Sequence, residues 1–395
     1  MSNKKVRKVV SMLAVLALVF SMLSIGVVNA QTGEVEQAKN VILLIGDGMG
    51  YNHWELCKQV SGEDELFVEN GFEYYGYSHT RSFTSKVTDS AAGGTALATG
   101  VRTYNRGVGV YVYDPLAIRA PKNLCELAME LGMKTGVVTS DSNVGATPGA
   151  FTAHTADRRN YLDMSQQQVK SGIDLIWTSS SGIITDKYLK GTEYVLINDW
   201  NELNALKDGQ KSMGQFDTDL WKTSNDDNCP TLSELTTEAI ERLDNKDGFF
   251  LMVEGAHVDK HSHNQDPKNM TEAMLEFDKT IEAAVEFAKE DGDTIVIVSA
   301  DHETGNITLK DGKYVYTQGS HSATDVPVCV YGTDDFIEDE QAVDNKDIPK
   351  FIAKALGATD KQFPARVNPD SKFYIKDFIG YIGVIISAIG EIIGL

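Results

Sequence analysis

Five short, almost uninterrupted apolar runs recur along the chain, at 41–45, 136–139, 249–253, 294–298 and 326–331, each bounded by Gly, Asp or Ser. Runs that are apolar at consecutive rather than alternate positions suit strands buried on both faces of a parallel sheet. Between them, apolar residues recur every three or four positions at about 121–131, 232–243, 269–289 and 348–356, as in helices with one buried stripe. This alternation predicts an α/β fold: an open, mostly parallel central sheet with helices on both faces. Residues 164–228 are more polar and irregular, and read as peripheral structure inserted before the next core strand. No repeat or low-complexity linker divides the chain, so one large domain over 31–375 is expected despite the length of 395 residues.

The residues that follow the strands carry the chemistry. Asp47 follows the first run, Glu254 the third, and Asp301 with His302 the fourth. Ligands of parallel sheets gather at the carboxyl ends of the strands, so these side chains are expected to converge on one edge although they lie far apart in sequence. The densest stretch is Glu254, His257, Asp259, Lys260, His261 and His263. On a helix Asp259 and His263, four apart, share a face and present a carboxylate and an imidazole to one ion. His321 offers a third ligand, and Asp47, Asp301 and His302 make a second mixed N/O set. Imidazole with carboxylate suits zinc, whereas oxygen-only sets suit magnesium. Taken singly, each residue could be a surface pair or a turn cap. Together, carboxylates crowded at one strand edge repel without a cation. His154 and His257 read as structural or supporting residues, and His261 points off the Asp259/His263 face.

Ser90 opens a segment of very small side chains, Ser90-Ala-Ala-Gly-Gly-Thr-Ala, read as the start of a closely packed helix whose first-turn N–H groups can meet an anion. An ordinary N-cap is the alternative reading. No His stands within a few residues and no GxSxG elbow is present, so a nucleophilic Ser90 needs a metal to lower its pKa. Arg158 is a candidate clamp, because a planar guanidinium matches two phosphate oxygens.

Charge narrows the partners. Lys and Arg total 36 against 57 Asp and Glu, a formal charge of -21, which argues against binding a nucleic-acid backbone. The four cysteines, Cys57, Cys125, Cys229 and Cys329, have neither CxxC spacing nor His pairs nearby, and their spacing leaves thiol or disulfide open. Residues 1–30 carry Lys4, Lys5, Arg7 and Lys8, an uncharged apolar stretch and Val28-Asn29-Ala30. They read as a secretory signal peptide, with an uncleaved anchor as the alternative, so the protein is expected to be secreted or extracytoplasmic. Residues 376–395 read as a hydrophobic, glycine-rich C-terminal helix. Over 378–395 its glycines line one side at helical spacing, which suggests packing on the body or contact with a membrane surface.

Taken together, Gly46-Asp47-Gly48-Met49-Gly50, Thr88-Asp89-Ser90-Ala-Ala, Ala146-Thr147-Pro148, Arg158, Glu254-Gly-Ala through His263, Ala300-Asp301-His302 and His321 resemble the alkaline phosphatase family, in the family's order over about 40–332. The resemblance implies an alkaline-phosphatase-like fold and a secreted, metal-dependent phosphomonoesterase acting on small phosphate monoesters. It implies that Ser90 attacks phosphorus to form a phosphoserine and that Arg158 grips two phosphate oxygens. Asp259, His263 and His321 would hold one zinc ion, at the leaving group, and Asp47, Asp301 and His302 a second, beside Ser90. Asp47, Thr147 and Glu254 would hold magnesium.

The chain departs from the family pattern at Gly145, where bacterial members often carry an acid, which removes a contact near the magnesium. Lys260 matches a lysine that some members place near the phosphate. The short interval between His302 and His321 implies a reduced cap, an open cleft and a monomer or homodimer. Rival readings are a phosphodiesterase or sulfatase on a similar metal edge, or a non-enzymatic secreted metal-binding surface protein. Ser90, outside any C/S-x-P-x-R setting, argues against a sulfatase.

Overall fold

The computed structural model describes residues 35, 37–114, 117–217, 219–225 and 228–364. The expected leader at 1–30 and tail at 376–395 lie outside them. Among the described residues the main sheet has ten strands: β1 (Asn40–Gly46), β2 (Tyr74–His79), β3 (Lys134–Ser142), β4 (Leu175–Ser179), β5 (Val195–Ile197), β6 (Ser212–Phe216), β7 (Phe249–Gly255), β8 (Thr294–Ser299), β9 (Val326–Tyr331) and β10 (Ala342–Asp344). Their spatial order is β10-β2-β9-β8-β1-β7-β3-β4-β6-β5. From β8 to β5 every neighbouring pair is parallel. The helices that frame the site are α1 (Tyr51–Ser61), α2 (Ser90–Thr99), α3 (Leu124–Glu130), α4 (Ala146–Thr152), α5 (Leu232–Leu243), α6 (His257–His263), α7 (Pro267–Asp291) and α8 (Ile348–Ala355).

Two expectations are corrected. The apolar run at 326–331 forms β9, which is antiparallel to both β8 and β2. A run buried on both faces carries no direction, because direction is set by the connection that precedes it. The segment 164–228 is not a peripheral insertion, since it supplies β4, β5 and β6, which complete one flank of the sheet. Its strands are short and mix Thr, Ser and Gln with apolar residues, which hides their period.

The central strands are covered on both sides. Phe250 of β7 stacks on Phe151 of α4, with ring centroids 6.3 Å apart. The next residue, Leu251, packs in a core with Leu235 of α5 and with Phe277 and Ile281 of α7. Successive strand residues point to opposite faces, so these helices lie on opposite faces of the sheet. All of β1 is buried, as a central strand of a doubly covered sheet requires. Helix starts follow local chemistry. Thr231 and Glu234 form a capping box for α5, and the Asp266 carboxylate accepts from Lys268 N and Asn269 N ahead of Pro267 at the start of α7.

Register brings the strand ends level. Glu254 lies opposite both Ile45 and Thr139, and Ile45 lies opposite Ser299. The residues just beyond, Asp47 and Asp301, therefore leave the sheet on the edge that Glu254 occupies.

Candidate active site

The turns after β1 and β8, the starts of α2 and α4, helix α6 and the short strand His321–Ser322 build the site on that edge. After β1 the chain turns at Gly48, which has a φ of 72° and whose added Cβ would meet Asp259 Cβ at 2.8 Å. A side chain at this position would push Asp47 and Asp259 apart. Gly48 N donates to Asp301 Oδ1 at 3.2 Å, tying the β1 turn to the β8 turn. Asp89 caps α2 by accepting from Ala92 N, which sets Ser90 at the first position of the helix. Ser90 Oγ lies 3.2 Å from His302 Nε2.

Around Ser90 the ligand atoms fall into two convergent groups. Those of Asp47, Asp301 and His302 lie within 4.8 Å of one another, as do those of Asp259, His302 and His321. His263 joins the second group, with its Nε2 at 3.4 Å from Asp259 Oδ1 and 3.0 Å from His321 Nε2. The helical spacing of Asp259 and His263 is met on α6, while His261 turns away to pack edge-on against Trp221. His257 stacks on the same indole and faces Ser140 Oγ, and His154 pairs with Glu126. Thr147 belongs to neither group and sits buried at the start of α4.

The donor set fits cations. His263 Nδ1 spends its hydrogen on Gly319 O at 2.9 Å, and His321 Nδ1 spends its own on Thr88 O at 2.8 Å. Both Nε2 lone pairs then face each other at 3.0 Å, an arrangement that an ion between them resolves. Asp47 Oδ1, Asp301 Oδ2 and Thr147 Oγ1 are buried and make no hydrogen bond among the described residues. Buried oxygen atoms of this kind call for a partner.

Electrostatics point the same way. Burial, then the neighbouring Asp301, Asp259 and Glu254, push the Asp47 carboxyl well above the usual carboxylate range. Burial and Asp259 push Asp301 to about 7, and burial and Asp141 push Glu254 to about 8. Burial, then His321, holds the His302 imidazole well below its ordinary value, so it is neutral and free to ligate. Carboxyls crowded and buried in this way favour a positive charge beside them, whether a proton or a cation.

The site is graded from closed to open. Asp301 and His302 are fully buried, whereas the side chains of His263 and Arg158 are 39% and 35% exposed. Arg158 Nη1 donates to Asp89 Oδ2 at 3.3 Å, beside Ser90. Burial opposes its charge, but Asp89 and Asp47 raise its pKa above the ordinary value and keep it cationic.

Several supporting residues have no signature in the sequence. Thr304 Oγ1 donates to Asp259 Oδ1 and lies 3.3 Å from His302 Nδ1, and Thr139 Oγ1 donates to Glu254 Oε2. Asp141 binds Lys260. A threonine two residues past an Asp-His pair was the available hint for Thr304. All four cysteines are free thiols.

The family model for alkaline phosphatase matches residues 38–180 and 182–348. Alkaline phosphatase 4 of Bacillus subtilis is 33% identical over 304 residues, which cover 71% of this chain and 65% of that protein's length. Alkaline phosphatase 3 of the same organism is 32% identical over 340 residues, covering 79% and 72%. The solved alkaline phosphatase of the Antarctic bacterium TAB5 superposes with a TM-score of 0.69 at 29% identity, covering 82% of this chain and all of that one, and a variant of that enzyme was solved with Mg bound.

Proposed function

This chain belongs to the alkaline phosphatase family, and we propose that it hydrolyses small phosphate monoesters through a phosphoserine formed on Ser90. The observation that carries the reading is the placement of the Ser90 hydroxyl 3.2 Å from His302 Nε2, the imidazole shared by both convergent ligand groups.

In this reading Asp259, His263 and His321 hold one zinc ion, Asp47, Asp301 and His302 hold a second, and Asp47, Thr147 and Glu254 hold magnesium. When bound, the ions neutralise the crowded carboxylates, favour the ionised form of the serine hydroxyl and offset charge on the leaving oxygen. The protein's own groups do the remainder. Arg158 lies at the open side, where its planar donors can hold two phosphate oxygens while Asp89 fixes its orientation. In the first turn of α2, Ala92 N and Gly93 N are taken by Asp89, which leaves the N–H groups of Ser90 and Ala91 for the same anion. His263, His321 and His302 keep their Nε2 atoms aimed inward because their Nδ1 atoms face Gly319 O, Thr88 O and Thr304 Oγ1. A phosphate dianion approaches an acidic protein only where such local positive charge reverses the field.

Residues 1–30 we read as an export signal, and the route places the substrates outside the cytoplasm. No described helix is long and apolar enough to cross a membrane.

The test is metal analysis of the purified chain, paired with hydrolysis of an aryl phosphate monoester and the matching diester before and after chelation. The reading expects zinc in the protein, loss of monoesterase activity on chelation, recovery with zinc and magnesium, and much slower diester turnover. Undiminished activity in the chelated protein, or a preference for the diester, would overturn it.

A further inference from the structure

Lys260 stands on α6 between Asp259 and His261, and its Nζ donates to Asp141 Oδ1 at 2.6 Å. Asp141 lies near the end of β3 and is held from two sides. Its backbone N–H donates to Thr139 Oγ1 at 2.8 Å, and its Oδ1 accepts from Ser142 N at 2.8 Å. The second carboxylate oxygen covers Gly145, where an added Cβ would come within 2.4 Å of Asp141 Oδ2 and 2.8 Å of its Cγ. Gly145 has a φ of -55° and a ψ of 150°, open to any L-residue, so glycine is needed there for space and not for conformation. The volume in front of position 145 is filled by an acid that arrives from four residues earlier.

This acid sits among the charges of the site. Lys260 follows Asp259 on α6, and the Thr139 hydroxyl that accepts from Asp141 N donates in turn to Glu254 Oε2, so the pair stands at the ligand edge. Asp141 also acts on Arg158. A carboxylate in contact with an ammonium competes with any phosphate for that ammonium.

Building on the phosphatase reading above, we propose that Asp141 is a positioning residue that holds Lys260 and sets the phosphate affinity of the site, weakening it by competing for the lysine. The acid whose absence at position 145 marks this chain is thereby replaced from the neighbouring strand end. Lys260 is 40% exposed, so the contact is reachable by phosphate and by solvent.

The experiment is calorimetric titration of inorganic phosphate into the zinc- and magnesium-loaded protein. Asp141→Asn keeps an oxygen for Ser142 N and removes the competing charge. It is expected to tighten phosphate binding about fivefold, the coupling of a part-exposed ion pair. Lys260→Gln is expected to weaken it. In the Lys260→Gln background, Asp141→Asn is expected to change affinity by less than about 1.5-fold, because coupling needs both partners. The exchange Asp141→Ala with Gly145→Asp is expected to restore the unmodified affinity within about twofold, by the same coupling logic. Asp141→Asn that weakens binding, leaves it unchanged, or acts equally with and without Lys260 would overturn the proposal. If Asp141→Asn fails to fold, Asp141→Ala, which also removes the competing charge, decides on the same terms. A loaded protein that binds phosphate but turns over no monoester would defeat the functional reading, while the affinities still judge Asp141. A loaded protein that binds no phosphate would defeat both.

Discussion

Ser90 Oγ lies 3.2 Å from His302 Nε2, although 212 positions separate the two residues along the chain. The contact joins the start of α2 to the turn after β8, and His302 is common to both ligand groups. A hydroxyl in that place is next to whatever charge the groups bind.

Ser90→Ala should therefore separate chemistry from metal binding. Turnover of an aryl phosphate monoester is expected to fall by more than ~10³-fold, as when a nucleophile is removed. Zinc and magnesium content should stay as in the unmodified protein, because Ser90 belongs to neither ligand group. Elemental analysis beside initial rates checks both. Retained turnover would show that another group attacks phosphorus.

His302→Ala and His263→Ala should differ in metal stoichiometry. The His302 imidazole is proposed to hold one ion with Asp47 and Asp301, and its ring stacks on His321 with centroids 3.6 Å apart, so its loss is expected to empty its own site and, by freeing His321, the other as well, depleting two ions per chain. His263 contacts Asp259 and His321 only, so its loss should remove about one. Equal stoichiometry in the two variants would contradict the division into two groups.

The metal-free protein should lose stability as pH rises. Asp47, Asp301 and Glu254 have folded values above the ordinary carboxyl range, Asp301 about 7 and Glu254 about 8. The unfolded chain releases these protons near pH ~4, so above that the folded state holds more protons than the unfolded state. Their stabilising contribution is complete below pH ~4 and is lost as pH climbs through about 7 and 8. Thermal melts of chelated protein between pH 5 and pH 9 should show a falling Tm, flattened when zinc and magnesium are bound. A Tm that rises across the range without metal would contradict the argument.

Gly93→Ala should damage the site from outside its ligand list. A Cβ there would lie 2.6 Å from Asp301 O and 2.9 Å from Asp301 Cβ, so α2 and the β8 turn must separate. Overpacking of this kind costs about 1–3 kcal/mol, more than the helix propensity that alanine returns. Urea unfolding should report the loss, and metal affinity should fall with it. An unchanged midpoint would mean that the turn yields freely.

Much of the site was legible in the sequence because its residues follow strands. Continuous apolar runs mark buried parallel strands, and a carboxylate at the end of each has a defined edge to occupy. The face shared by Asp259 and His263 follows from helical spacing alone. Hidden were the direction of β9, the strands within 164–228, and the hydroxyls of Thr139 and Thr304. A threonine that orients a carboxylate looks like any strand threonine until its partner is in place.

Asp141 marks the boundary most clearly. Residue identities along the chain determined which acids and imidazoles are available, in what order, and on which side of the sheet they emerge. Packing alone decided that Asp141 Oδ2 fills the space over Gly145 and that its other oxygen meets Lys260, 119 positions away. Hydrogen bonds form within a few tenths of an ångström, and that precision comes from how α4, α6 and β3 press together, which no linear pattern encodes.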